Sequence, residues 1–379
     1  MKLTRQWAGL VTIGSCIAVA ATAHTIYNLT RVRKPSVDAV ATSDTVSVLI
    51  PARNERSTIE ACLTSVAEVH GISEVLVLDD GSTDETATII ERCATVNPLV
   101  TVLKREATAV VPPGWTGKSW ACEELASAAT GSVLVFLDAD VTLEQSAIVA
   151  SVAMLREANV DLVCPYPRQI TAGLLSRLVQ PLLQWSWLTF VPLQASEKSS
   201  RELLAVANGQ FLVVDAQAYR NAGGHRSVRG DVLEDVALAR AVRAAGGHTA
   251  VVEGSDIATC QMYSTTSELI DGYAKSLWSA FGSGLASIAV VKLLGVAYVT
   301  PPLAVIVGPT RRVRTIGLLG YSAGVAGRIA VARTTHTRVL PESLLHPLSI
   351  AAFAGLVAES WRRKRNDSIK WKGRALPVR

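Results

Sequence analysis

Val75-Leu76-Val77-Leu78-Asp79-Asp80-Gly81-Ser82-Thr83-Asp84 joins four apolar residues to a turn of carboxylates, glycine and hydroxyls. A nearly continuous apolar run of this length reads as a strand buried on both faces, the kind found in parallel sheets covered by helices. The same plan recurs on either side of it. Val46-Ser47-Val48-Leu49-Ile50 runs into Pro51-Ala52-Arg53-Asn54-Glu55, and Ser132-Val133-Leu134-Val135-Phe136-Leu137 runs into Asp138-Ala139-Asp140. Near each stands a capping-box pattern that predicts a helix start: Ser57-x-x-Glu60, Ser82-x-x-Glu85 and Thr142-x-x-Gln145. Strand, polar loop and helix, repeated, predict an α/β domain with a mostly parallel sheet between Val46 and about Val252.

In that architecture ligands bind beyond the carboxyl ends of the strands. Here those ends carry three acidic clusters, which repel one another unless something cationic lies among them. Asp138-Ala139-Asp140 brings two hard oxygen ligands together, a pairing suited to Mg2+ or Mn2+ holding a diphosphate. Paired acids in a turn are also commonplace, and Asp79, Asp80 and Asp84 have the simpler reading of helix-capping residues. Neither a P-loop nor a G-x-G-x-x-G fingerprint occurs, and the turn at Asp79 lacks EF-hand spacing.

Composition points to a membrane. Apolar residues make up 49% of the 379 and charged residues only 18%, where soluble domains usually carry about 25%. The net charge of +5 is concentrated in a tail: from Glu359 onward there are eight Lys/Arg against two acids. The rest of the chain is slightly acidic, so the basicity is no nucleic-acid face and suits a membrane surface better. No charged side chain occurs in the 25 residues between Arg5 and Arg31, enough to cross a bilayer. Ala21-Thr22-Ala23 offers the competing reading of a signal-peptide cleavage site. Apolar stretches return at Leu277–Val291, Leu293–Thr310, Thr315–Ala332 and Leu344–Ala358, and predict three C-terminal spans, with Pro301-Pro302 breaking or kinking one. An odd number of crossings there would part the basic tail from the side of the α/β domain. Gly173–Leu193, with Trp185 and Trp187, reads equally as an interfacial helix or as a buried one. The six cysteines form no C-x-x-C pair, which leaves no zinc or redox motif.

The runs Ile50–Glu55, Val77–Asp84 and Phe136–Asp140 resemble, in order and spacing, those of glycosyltransferase family 2, whose fold is GT-A. Pro112-Pro113-Gly114-Trp115-Thr116-Gly117-Lys118 resembles a loop of its membrane-bound branch. Asn208-Gly209-Gln210-Phe211, Gly224-His225 and Val232-Leu233-Glu234-Asp235 resemble acceptor-side motifs of that branch, and Trp371-Lys372-Gly373-Arg374 recurs in it. The chain is similar above all to hopanoid-associated and carotenoid-type glycosyltransferases.

That resemblance implies a membrane anchor at 1–34, a GT-A catalytic domain at 45–275, transmembrane helices at 276–360 and a basic tail at 361–379. It implies a multi-pass protein of the cell membrane with its catalytic domain facing the cytoplasm. The activity implied is inverting, metal-dependent transfer from a nucleotide-sugar, a UDP-sugar, to a lipid-like acceptor: a polyisoprenoid, hopanoid or carotenoid. Pro51, Ala52, Arg53, Glu55, Asp79, Asp80, Lys118 and Asp138 would hold the donor, and Asp138 and Asp140 the Mg2+ or Mn2+. Asp235 would be the general base, with Glu234 beside it able to take the same role; Asn208, Gly209, His225 and Trp278 would lie on the acceptor side. Gly272-Tyr273-Ala274-Lys275-Ser276-Leu277-Trp278 departs from the Gln-x-x-Arg-Trp of processive members, which favours transfer of one sugar or few. Two rival readings remain: a nucleotidyltransferase, and an inactive membrane-anchored scaffold.

Overall fold

The structure, a computed structural model, describes residues 2–375. Helix α1 (Lys2–Leu29) precedes an alternating series: β1 (Val46–Ala52), α2 (Ile59–Glu68), β2 (Glu74–Asp79), α3 (Thr86–Val96), β3 (Val100–Lys104), α4 (Gly117–Ala128) and β4 (Val133–Leu137). Next come β5 (Val141–Leu143), α5 (Ala147–Glu157), β6 (Leu162–Tyr166), β7 (Arg168–Gln169), α6 (Leu174–Val179), α7 (Pro181–Phe190) and α8 (Leu193–Glu197). The sheet domain closes with β8 (Phe211–Asp215), α9 (Ala216–Asn221), α10 (Gly224–Ser227), α11 (Glu234–Ala244), β9 (Thr249–Glu253) and β10 (Ala258–Cys260).

The main sheet has the order β3-β2-β1-β4-β8-β6-β9. β1 to β4 run parallel, β6 is parallel to β9, and β8 is antiparallel to both of its neighbours. Strand alternation divides the apolar runs between two cores. Val48, Ile50, Val75 and Val77 face α2, α3 and α5, while Leu49, Leu76, Leu78 and Phe136 face α4 and α11. Burial on both faces is what the unbroken apolar runs predicted. Register then fixes the site, because Ala52 pairs with Asp79 and Leu49 with Phe136. The turns after β1, β2 and β4 therefore emerge side by side.

The helices begin later than the capping boxes predicted. α2, α3 and α5 start behind Thr58, Glu85 and Ser146, and none of these side chains caps its helix. Ser82 bonds instead to the Asp79 carboxylate, and its hydroxyl accepts from the Asn54 amide at 3.0 Å. Bonds within the loop compete successfully for the capping groups.

Beyond the sheet domain lie α12 (Thr266–Ala280), α13 (Gly284–Leu294), α14 (Thr300–Val307), α15 (Arg311–Thr334), α16 (His346–Arg365) and a hairpin of β11 (Lys370–Trp371) and β12 (Arg374–Ala375). Among the described residues three segments are long and apolar enough to cross a membrane: Arg5–Leu29, Gly284–Val307 and Arg311–Thr334. The C-terminal region thus supplies two candidate spans where the sequence predicted three. Leu277 belongs to α12, and the chain breaks at Gly282, whose φ of 73° lies in the left-handed region. α16 turns its Leu356 and Val357 onto Leu269 and Leu277 of α12. The proline pair does not break its segment. It sits in the first turn of α14, after a π turn, Gly295–Val299, that is closed by the Thr300 amide donating to the Gly295 carbonyl.

α1 lies parallel to α15, with Ser15 bonded to the Ile316 carbonyl and Thr22 to that of Ala323. Gly320 permits the approach, since a Cβ there would collide with Ser15. Of the two readings of 173–193, the tryptophans follow the buried one, while Leu174, Leu183 and Phe190 are exposed. Trp185 and Trp187 are 3% and 4% exposed, packed among Tyr166 of β6, Ala18 and Ala21 of α1, and Tyr298.

Candidate active site

Turns from β1, β2 and β4 open onto one cavity of about 240 Å³, which collects Pro51, Ala52, Arg53, Glu55, Asp80, Lys118, Asp138, Asp140 and Glu234. A smaller cavity adjoins it, sharing Pro51, Lys118, Asp138 and Glu234 and adding Gly209, His225 and Asp235. Most of the residues singled out in the sequence are thereby gathered at one edge of the sheet.

The cations that the acidic clusters required are present. Lys118, in the first turn of α4 behind its cap Thr116, sits 2.7 Å from Asp138 Oδ1 and 3.0 Å from Glu234 Oε1. Burial opposes its charge, but those two carboxylates hold the ammonium well above the usual lysine range. Asp140 Oδ1 is buried with no hydrogen-bond partner. Burial, then Asp138 and Glu55, push the Asp140 carboxyl up to about 7. A buried, unpartnered carboxylate oxygen beside a second carboxylate fits a divalent cation. Among the described residues no group of three or more His, Cys, Asp or Glu side chains could hold a metal, so water or phosphate oxygens would complete the shell.

On the nucleotide side the predicted residues divide. Glu55 is raised above the usual carboxylate range by burial, with Lys372 opposing the shift at 3.1 Å. Asp80 is held between two guanidinium groups, Arg105 at 2.9 Å and Arg374. Arg53 bonds the backbone carbonyls of Asp80 and Gly81 and thereby ties the first turn to the second. Asp79 turns away from the cavity and binds the Ser82 amide at 3.2 Å, shaping the loop.

On the other side, Glu234 and Asp235 occupy the first turn of α11, where the helix dipole favours acids. Although burial works against it, Lys118 and Lys275 hold Glu234 below its ordinary value. Asp235 accepts the Gly209 amide at 2.7 Å, and burial followed by the neighbouring Glu234 pushes its carboxyl up to about 6. Gly209 has little room for a side chain, since a Cβ would stand 3.2 Å from Lys118 Nζ and 3.3 Å from Asp235 Cβ. Burial lowers the His225 imidazole to about 4, and its Nδ1 lies 2.9 Å from the Tyr219 hydroxyl. Asn208 bonds Gln210 and the Cys164 sulfur, outside both cavities. Trp278 likewise lies away from them, packed on Val232 and Ile369 with Lys364 Nζ 3.7 Å over its ring.

Sequence reasoning passed over Arg105 and did not foresee where the tail goes. Arg105 stands at the end of β3 with no motif around it, stacked 3.4 Å over the Trp120 ring. Trp371, Lys372 and Arg374 line the larger cavity. Trp361 likewise turns inward, bonding Ser287 at 3.0 Å. The last four residues of the predicted tail, 376–379, lie outside the described residues.

Residues 47–200 match the family model described as Glycosyl transferase family 2. Among curated proteins, the 4,4'-diaponeurosporenoate glycosyltransferases of Staphylococcus aureus strains MRSA252 and bovine RF122 / ET3-1 are similar, at 28% and 27% identity over 357 residues, covering 88% of this chain and 88% of theirs. Among solved structures, a mannosyltransferase from Pyrobaculum calidifontis in complex with GDP-Man and Mn2+ shares the fold at 17% identity. Its TM-score is 0.54, covering 91% of this chain and 98% of that one.

Proposed function

We propose, from the family-model match over residues 47–200 and the fold shared with a solved mannosyltransferase, that this protein moves a sugar, with inversion, from a UDP-sugar to a hydroxyl on a lipid-like acceptor at a membrane. One observation carries the reading: the carboxylates after β1, β2 and β4 and the Glu234-Asp235 pair meet around Lys118 in adjoining cavities. The curated relatives are named 4,4'-diaponeurosporenoate glycosyltransferases, which supports a lipid-like acceptor.

Glu55 and Asp80 offer acceptors for the hydroxyl groups of the nucleoside, and Lys118 and Lys275 bring positive charge to the diphosphate. Asp138 and Asp140 would hold a divalent cation, which neutralises charge developing on the departing diphosphate. The acceptor oxygen attacks the anomeric carbon and passes its proton to Asp235. The bond from that carbon to the diphosphate oxygen breaks, and the nucleoside diphosphate leaves. A single displacement of this kind inverts the anomeric centre. Asp235, raised to about 6, is a stronger base than an ordinary aspartate and is still ionised at neutral pH. Glu234 stays anionic and keeps Lys118 in place.

The protein is read as multi-pass, with the sheet domain on the cytoplasmic side. Arg31, Arg33, Lys34, Arg333, Arg338 and the run Arg362–Arg365 flank the helix ends nearest that domain, against Lys2, Arg5, Arg311, Arg312 and Arg314 at the opposite ends. Two C-terminal crossings return the tail to the side of the sheet domain, where its hairpin is found.

The test is mass spectrometry of membrane lipids from cells with and without the protein, repeated with Asp138→Ala and Asp140→Ala. A glycolipid present with the native chain and absent with either variant is expected. Identical lipids in all four samples would refute the activity.

A further inference from the structure

The hairpin at 370–375 is joined to the donor side of the cavity at several points. Arg374 pairs with the Asp80 carboxylate, whose other oxygen is held by Arg105 at 2.9 Å. Lys372 Nζ lies 3.1 Å from Glu55 Oε2 and donates to the Asn54 carbonyl at 3.1 Å, while Arg53 Nε donates to the Lys372 carbonyl at 3.2 Å. Trp371 presents its ring to Lys275, whose ammonium lies 3.9 Å from the ring centre. Gly117 leaves room for the strap, since a Cβ there would stand 3.1 Å from Arg374 Nη1 and 3.2 Å from Asp80 Oδ2. The hairpin is held in shape as well as in place. Lys372 and Gly373 both take positive φ, 46° and 81°, as a two-residue hairpin turn demands, and Ile369 before them is buried against Val232 and Trp278.

Resting on the glycosyl-transfer reading above, we propose that Arg374 and Lys372 are positioning residues of the donor pocket: they orient the Asp80 and Glu55 carboxylates, and Trp371 closes the pocket as an aromatic wall for a nucleoside diphosphate. The chemistry matches the ligand. Two like-charged carboxylates on adjacent turns repel each other and are kept aimed by the cations paired with them, and a planar base with two phosphates is complementary to an aromatic ring beside lysine and arginine. Asp80 is 4% exposed, so removing Arg374 leaves a buried carboxylate short of one partner.

The experiment is binding of UDP and of GDP, each with Mn2+, to the detergent-solubilised full chain, alongside steady-state kinetics. R374A and K372A should each weaken UDP binding by about tenfold or more. They should raise the donor KM in proportion and leave the acceptor KM unchanged. R374K, which keeps the charge but not the fork, should recover part of the loss. Unchanged or tighter UDP binding in folded R374A would overturn the proposal, the latter by making the hairpin a plug. If R374A does not fold, K372A decides by the same criterion, because Lys372 is more exposed than Arg374 and the Glu55 side chain it would leave is itself 22% exposed. Native protein that binds neither nucleotide would refute the glycosyl-transfer reading itself. Native protein that binds UDP beside variants that bind it equally well would refute only the role of the hairpin.

Discussion

Asp235 shows how much of the chemistry rests on one environment. Its carboxyl is raised to about 6 because burial and the adjacent Glu234 both disfavour its charge. A base works only when ionised, so its contribution is present above this pH and lost below it. We expect kcat/KM to fall about tenfold per unit as pH drops below 6, read from a rate profile between pH 5 and 8; a flat profile would exclude Asp235 as the base. Asp235→Asn should cost about 10²–10⁴ in kcat for a hydroxyl acceptor while donor KM stays near native. A carboxylate acceptor, already ionised, would show little loss. Gly209→Ala should lower activity by crowding Lys118 and Asp235, with the loss read in kcat at unchanged thermal stability. At this scale the sequence was informative where chemistry is written in contiguous runs: Asp138, Asp140 and the Glu234-Asp235 pair needed only the strand or helix that presents them. Arg105 was invisible, because a lone arginine after a strand looks like any solvated cation until Asp80 and Trp120 are seen around it.

α6 and α7 carry the contrast between pattern and packing. Their apolar, tryptophan-bearing sequence suits a membrane interface or a protein core equally well, because both reward an apolar ring. Only the surroundings distinguish the two. With Trp185 stacked edge-on to Tyr298 and Phe190, and Trp187 beside Tyr166, these rings join the sheet to the long helices. Trp185→Ser should therefore destabilise the protein by about 3–5 kcal/mol and depress transfer to soluble and membrane-embedded acceptors alike. Selective loss on the embedded acceptor, at native thermal stability, would restore the interfacial reading. The sheet itself was legible because strands buried on both faces leave an unbroken apolar run, and the acids at their ends mark the edge onto which the cavities open. Helix starts were not, since Ser82 and Asp79 satisfied each other within the loop.

Across the whole molecule, the hairpin and the sheet edge are in contact, so in the proposed multi-pass arrangement they share one side of the membrane. Single cysteines at Thr310, between α14 and α15, and at Asp367, after α16, should label from opposite faces with a membrane-impermeant thiol reagent, in a background lacking exposed Cys16. Labelling of both from the same face would break the two-crossing arrangement. The sequence alone left this parity open, because counting apolar stretches gave three C-terminal spans, and nothing local says that α16 packs on α12. The bond from Arg53 to Lys372 spans 319 positions, and that from Arg374 to Asp80 spans 294. Contacts so distant in sequence form late. During synthesis the sheet domain leaves the ribosome first, with Glu55 lacking Lys372 and Asp80 lacking Arg374, and on the proposed arrangement it waits while α13 to α15 enter the bilayer. If the proposed donor pocket is finished only when the strap arrives, a chain stalled or misinserted at its last crossings would hold a folded sheet and spend no sugar.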